Sequence, residues 1–192
     1  GESMDEHNEL CVKLRAAGMA LFRREGLRFT MQQAAEAIHI SKKTIYAVYP
    51  SKEALLLDMV DDAFTRIHAR KQSIIDGPGT LTDKLRAVII ALPEEYTALD
   101  LQQMTLLDER YPAVAARVRE HLENGWEPTL ALLEQGMEQG VLRRVSLPIL
   151  QRMISASIED FLADRTLEQQ GITYTQALDE MVAILWEGIA VR

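Results

Sequence analysis

Six consecutive positions, Ser41 to Tyr46, hold two lysines, two aliphatic hydroxyls and a tyrosine. These groups suit a polyanion that is read as well as gripped. Attraction to DNA comes mostly from phosphates through released counterions, and sequence is read by a few side chains at base edges. Lys42 and Lys43 can donate to guanine edges or to adjacent phosphates. Thr44 can meet a thymine methyl or a phosphate, and Tyr46 offers a flat face and a hydroxyl. The plainer alternative for each lysine is an ordinary solvated charge.

Reading needs a rigid mount, and the flanking residues spell one out. Thr30 followed by Gln33 is a capping box, which starts a helix. Met31, Ala34, Ala35 and Ile38 then form one apolar stripe at i, i+3, i+4 and i+7. Ser41 caps a second short helix, and Ile40 before the cap can staple against Ile45. With Ile40 and Ile45 turned inward, Lys42, Lys43, Thr44 and Tyr46 point outward. So short a helix is marginal alone in water and needs Ile45 and Val48 packed on neighbours. Tyr49 ends it, because a residue before proline is pushed out of the α region, and Ser51 caps the next helix. Two short helices joined by a sharp turn, the second one basic, make a helix-turn-helix reading head.

Other chemistry is thin. Glu36 and His39 have the spacing of one di-iron ligand pair, but no second Glu-x-x-His exists to complete such a site. Cys/His metal spacings, a phosphate-cradling glycine loop and a nucleophile elbow are all missing from the sequence. No metal, cofactor or catalytic residue is expected. Cys11 is the only cysteine, which excludes an internal disulfide and fits a reducing cytoplasm. The longest unbroken apolar runs, Ala87 to Leu92 and the equally long Met181 to Trp186, are far short of the roughly 20 residues of a membrane span. The acidic N-terminus shows no export signal, so a cytoplasmic protein is expected, gathered on the nucleoid when DNA is bound.

The net charge of −8 looks wrong for a DNA binder until it is divided along the chain. Between Leu10 and Glu53 stand eight basic residues and three acids, a net +5. Beyond Glu53 the acids outnumber the bases. A basic head on an acidic body attracts phosphates at one end and keeps the rest away.

The chain of 192 residues, 47% hydrophobic, can hold two packed domains and shows helical periodicity without sustained strand alternation. Helix one is expected from about Asn8 to Glu25, closed by Gly26. A long helix follows from Ser51 to about Ile75, and Asp76-Gly77-Pro78-Gly79 is the clearest break. Further helices start at Thr80, near Thr97 and at Pro112, which fits position N1. Pro128 must kink or split the one that carries Val114, Val118, Leu122 and Trp126. The last two, Pro148 to about Leu167 and about Tyr174 to Val191, carry apolar arcs wider than one packed face needs. Ile149, Ile184 and Val191 lie off the main stripe, which suggests pairing with a second copy; completing the monomer core is the alternative.

The segment Thr30–Leu55 resembles the DNA-binding domain of the TetR (tetracycline repressor) family of bacterial regulators. The residues that carry the likeness are Leu21-Phe22, Gly26, Thr30, Ala37, Ser41, Thr44-Ile45-Tyr46 and Tyr49-Pro50-Ser51-Lys52-Glu53-Ala54-Leu55. Two positions depart from the usual pattern: His39 stands at the turn glycine, and Lys43 at a glycine of the second helix. The likeness implies an all-α protein, with a three-helix helix-turn-helix DNA-binding domain at 1–50 and a helical-bundle domain for ligand binding and dimerisation at 51–192. It implies that Thr30, Tyr49 and Lys52 grip the DNA backbone beside Ser41, Lys42, Lys43, Thr44 and Tyr46, though the Tyr49 ring could equally pack in the small core. It also implies an inducer pocket, for which Tyr96, Met104, His121, Trp126, Met153 and Phe161 are candidates because they lie on or beside apolar stripes. The expected protein is a homodimeric repressor of a pseudo-palindromic operator, joined through its last two helices and released by a small-molecule effector. An activator, a regulator answering another protein, or a helical-bundle enzyme with a relic head are the alternatives.

Overall fold

The computed structural model describes residues 1–89, 101–163 and 165–192, and within these not the side chains of residues 2, 101–105 and 163. Eleven α-helices are found among the described residues: α1 Glu2–Glu25, α2 Met31–Ala37, α3 Lys42–Val48, α4 Lys52–Asp76, α5 Leu81–Val88, α6 Leu101–Arg110, α7 Pro112–Glu123, α8 Glu127–Glu138, α9 Leu147–Ala163, α10 Thr166–Gln169 and α11 Tyr174–Ile189. The fold class is all-α, and the one β pairing described is an isolated bridge between Leu142 and Ala190.

Contacts group the chain into two compact units. One holds Gly1–Ala63 with Leu106–Arg117, and the other holds Phe64–Thr105 with Val118–Arg192. In the first, α1, α2 and α3 pack on one another. Leu14, Leu21, Leu27, Phe29, Met31, Ala34 and Ile45 are buried there, and each large side chain contributes roughly 1.5–3 kcal/mol through removal from water. Helix α1 also approaches α4 closely, since a Cβ on Gly18 would lie 2.7 Å from the Met59 sulfur. It begins earlier than Asn8, the expected start, and ends at Gly26 with φ 66°.

The second unit surrounds a core of Leu85, Val88, Trp126, Leu133, Leu142, Ile154 and Leu178 with further apolar neighbours. Pro128 splits the helix it was expected to kink or split. Helix α7 stops at Glu123, Gly125 turns the chain at φ 75°, and α8 restarts with Pro128 in its first turn. Proline is tolerated there because first-turn amides have no intrahelical partner to lose. Thr80 and Thr173 cap α5 and α11, each accepting a bond from the amide three residues on. The short α10 separates the last two long helices. It departs from the expectation of one helix to Leu167.

Candidate nucleic-acid interface and the cavity of the second unit

The helix-turn-helix forms from local bonds. Thr30 Oγ1 accepts from Gln33 N at 3.1 Å while the Gln33 side chain accepts from Thr30 N at 2.8 Å. The turn that follows puts His39 at φ 59°, the one left-handed non-glycine among the described residues. This is the usual glycine position, and histidine is among the residues that tolerate it better than most. Ser41 Oγ then accepts from Thr44 N at 3.1 Å and also meets Thr44 Oγ1 at 2.8 Å.

Ile45 is fully buried and sets the rotation of α3. Lys42, Lys43 and Tyr46 are therefore exposed, with Tyr46 at 41% despite its ring. Thr44 is half-buried at the edge of the same face. Among the described residues no carboxylate pairs with Lys42 or Lys43, so their charges point to solvent.

Tyr49 and Lys52 have a different geometry from the exposed grip that the family likeness implies. The Tyr49 ring is buried, and its hydroxyl donates to Asp58, which also accepts from Arg15 at 3.1 Å. Burial and the hydrogen bond to Asp58 push the Tyr49 pKa up, so the phenol keeps its proton. Lys52 directs its ammonium to the carbonyls of Leu27 and Phe29 and sits 4.4 Å from the centroid of the Phe29 ring. Desolvation by burial and the charge of Arg110 lower its pKa. Both side chains tie the start of α4 and the end of α3 to the rest of the head.

In the second unit a cavity opens beside the α7–α8 break. One compartment, about 70 Å³, is lined by Phe64, Ile67, Trp126, Ile158, Tyr174 and Leu178 among others. A second, about 230 Å³, is lined by His68, Lys71, Gln72, Gly125, Glu127, Pro128 and Thr129. Of the six pocket candidates, Trp126 and His121 line this cavity, with His121 stacked on Phe64 at 4.6 Å between centroids. Phe161 packs against the core without lining the cavity, and Met153 is 52% exposed. Tyr96 and the side chain of Met104 lie outside the described residues.

The sequence reading passed over His68, Lys71 and Thr129. The available signal was register. Lys71 falls at i+7 from Phe64 on the apolar stripe of α4, where a solvated lysine does not belong.

An anchored, basic, outward-facing α3 on a three-helix mount defines a helix-turn-helix DNA-binding regulator. Residues 14–59 match the model of the bacterial regulatory proteins of the tetR family. The HTH-type transcriptional regulator YvaF of Bacillus subtilis (strain 168) is 23% identical over 178 residues, covering 92% of this chain and 94% of that protein. Among solved structures, a TetR transcription regulator from Haloarcula marismortui is similar with a TM-score of 0.74 at 16% identity, covering 96% of this chain and 100% of that one. The TetR-family regulator of Cytophaga hutchinsonii has a TM-score of 0.69 at 14% identity, covering 97% and 98%. Residues 14–59 are thus a DNA-binding head of the tetR type, and over its full length the chain shares the fold of these regulators.

Proposed function

We propose that the protein is a homodimeric repressor that holds a pseudo-palindromic operator and lets go when a small molecule enters the cavity of its second unit. The functional division is a reading head in residues 1–50 and a regulatory and dimerising body in 51–192. The observation that carries the DNA half is the outward set on α3 opposite buried Ile45. Lys42 and Lys43 contact guanine edges or adjacent phosphates, Thr44 and Tyr46 contact bases or backbone nearby, and Thr30 and Ser41 approach phosphates at the two helix starts. Tyr49 and Lys52 act by holding α3 in place.

Dimerisation is supported by apolar side chains left outside on α9 and α11, two helices that pack together. Ile149 on α9 is 63% exposed, Ile184 on α11 is 67% exposed, and Val191, just past the end of α11, is 57% exposed. Two heads on a two-fold axis must match two half-sites in spacing as well as in sequence. A ligand that prefers a body conformation with misplaced heads lowers DNA affinity by linkage, and typical couplings of about 1–3 kcal/mol change it roughly 5- to 150-fold. No described helix is long and apolar enough to cross a membrane, and the protein meets its DNA in the cytoplasm.

The test begins with operator sites selected from random duplex DNA. Footprints with two-fold symmetry, and loss of expression from a reporter placed behind such a site, are expected. Symmetric binding with raised expression makes the protein an activator.

A further inference from the structure

The cavity of the second unit is built for charge at one end and for apolar contact at the other. Its two compartments share His68, Lys71 and Gly125. Lys71 is drawn into the wall with its ammonium 5.5 Å from the centroid of the Trp126 ring. Among the described residues no carboxylate pairs with it, and burial lowers its pKa. A half-buried ammonium with only an aromatic face for company is short of a counter-charge.

Two further features point the same way. Thr129 is wholly buried in the wall of the larger compartment, and its hydroxyl has no hydrogen-bond partner. Buried hydroxyls are normally satisfied, so an orphan lining a cavity marks a place for an incoming acceptor. The same residue lies in the first turn of the 12-residue α8, whose N-cap, Trp126, supplies no side-chain bond. Uncapped first-turn amides carry the positive end of the helix dipole. Beside them stands His68, packed so tightly on Gly125 that a Cβ there would lie 2.6 Å from the ring. Among the described residues the lining holds one acid, Glu127, which is exposed and makes no ion pair with Lys71.

We propose that the effector is an amphiphilic organic anion. Its carboxylate or phosphate head lies among Lys71, His68, Thr129 and the first turn of α8, and its apolar body lies against Phe64, Ile67, Trp126, Ile158 and Leu178. This rests on the reading of the body as the sensing domain. A neutral or cationic amphiphile of the same length leaves Lys71 without a counter-charge and binds less well.

Decanoate, decyl phosphate and decan-1-ol, each below micelle formation, test this on the full-length chain. Calorimetry reads binding, and the fluorescence of Trp126 in a Trp186→Phe background reads occupancy. One or both anions are expected to bind about tenfold or more tightly than the alcohol. Their relative affinities say which head the site takes. Lys71→Met, which keeps the stem, should bring the anions down to the alcohol's affinity and leave the alcohol unchanged. Thr129→Val should weaken the anions alone. Equal binding of acid and alcohol, undiminished anion binding in Lys71→Met, or no binding of either anion overturns the proposal. DNA release separates this from the effector reading. If decan-1-ol releases a selected operator fragment as readily as decanoate, the sensing domain stands and the anion site falls. If decanoate binds but the fragment stays bound, the anion site stands and decanoate is not an effector.

Discussion

Lys52 is the residue at which two physical roles make opposite forecasts. The role that the family likeness implies is a grip on a phosphate. In the structure its ammonium bonds to the carbonyls of Leu27 and Phe29 and lies 4.4 Å from the Phe29 centroid. Replacing it by methionine keeps most of the packed stem and removes the charge. A hydrogen bond to a charged group is worth roughly 1.5–3 kcal/mol, and a cation–π contact about 0.5–1 kcal/mol. Against these stands the cost of keeping the ammonium half-buried, visible in its lowered pKa. The net loss should be about 2 kcal/mol, with two carbonyls left to find water. For a chain of this size that lowers the melting temperature by roughly 4–8 °C. The binding assay is fluorescence anisotropy on a selected operator at several salt concentrations. A lysine held inside the head leaves the slope of log affinity against log salt unchanged, whereas a lost phosphate contact lowers it by about one per protomer. Unaltered melting together with a shallower salt slope would refute the internal role.

Lys42→Ala and Tyr46→Ala should melt like the parent but weaken operator binding by roughly 1–3 kcal/mol if a base contact is lost, as a gel shift will show. His39→Gly removes a side chain from φ 59° and should stabilise the head by about 0.5–1 kcal/mol in urea unfolding, where a lower midpoint would count against strain at the turn. Leu185 is partly buried against the core, so Ile184→Glu, at a 67% exposed position, is the cleaner probe of the dimer. It should give a folded monomer by light scattering, and an unchanged dimer would place the interface elsewhere. Burial and the charges of Lys71 and His121 lower the His68 pKa, outweighing the opposing pull of Glu127. The unfolded chain then binds this proton more readily, so stability falls as pH drops below about 6.5, and His68→Gln should flatten that slope in thermal melts.

The reading head was legible because its determinants are local. Capping boxes join residues three apart, Pro50 ends the preceding helix within one position, and an apolar stripe repeats every three or four residues. Thr30, Ser41 and the rotation of α3 about Ile45 follow from such rules, while the left-handed turn at His39 followed from the family likeness. So does the rupture at Pro128, though sequence could not choose between a kink and a split.

The fate of side chains whose partners are distant was not legible. Lys52 meets a carbonyl 25 residues away, and Tyr49 meets Asp58 on the next helix. Met153 and Ile154 are neighbours on one apolar helix, yet the first is 52% exposed and the second fully buried. Lys71 sits in an apolar register, and only the approach of α8 turns that position into the wall of a cavity with Thr129. Periodicity says which residues share a face of a helix, because that depends on the helix itself. What the face meets, whether core, cavity, solvent or a second copy, depends on elements brought in from elsewhere in the chain, and packing decides it.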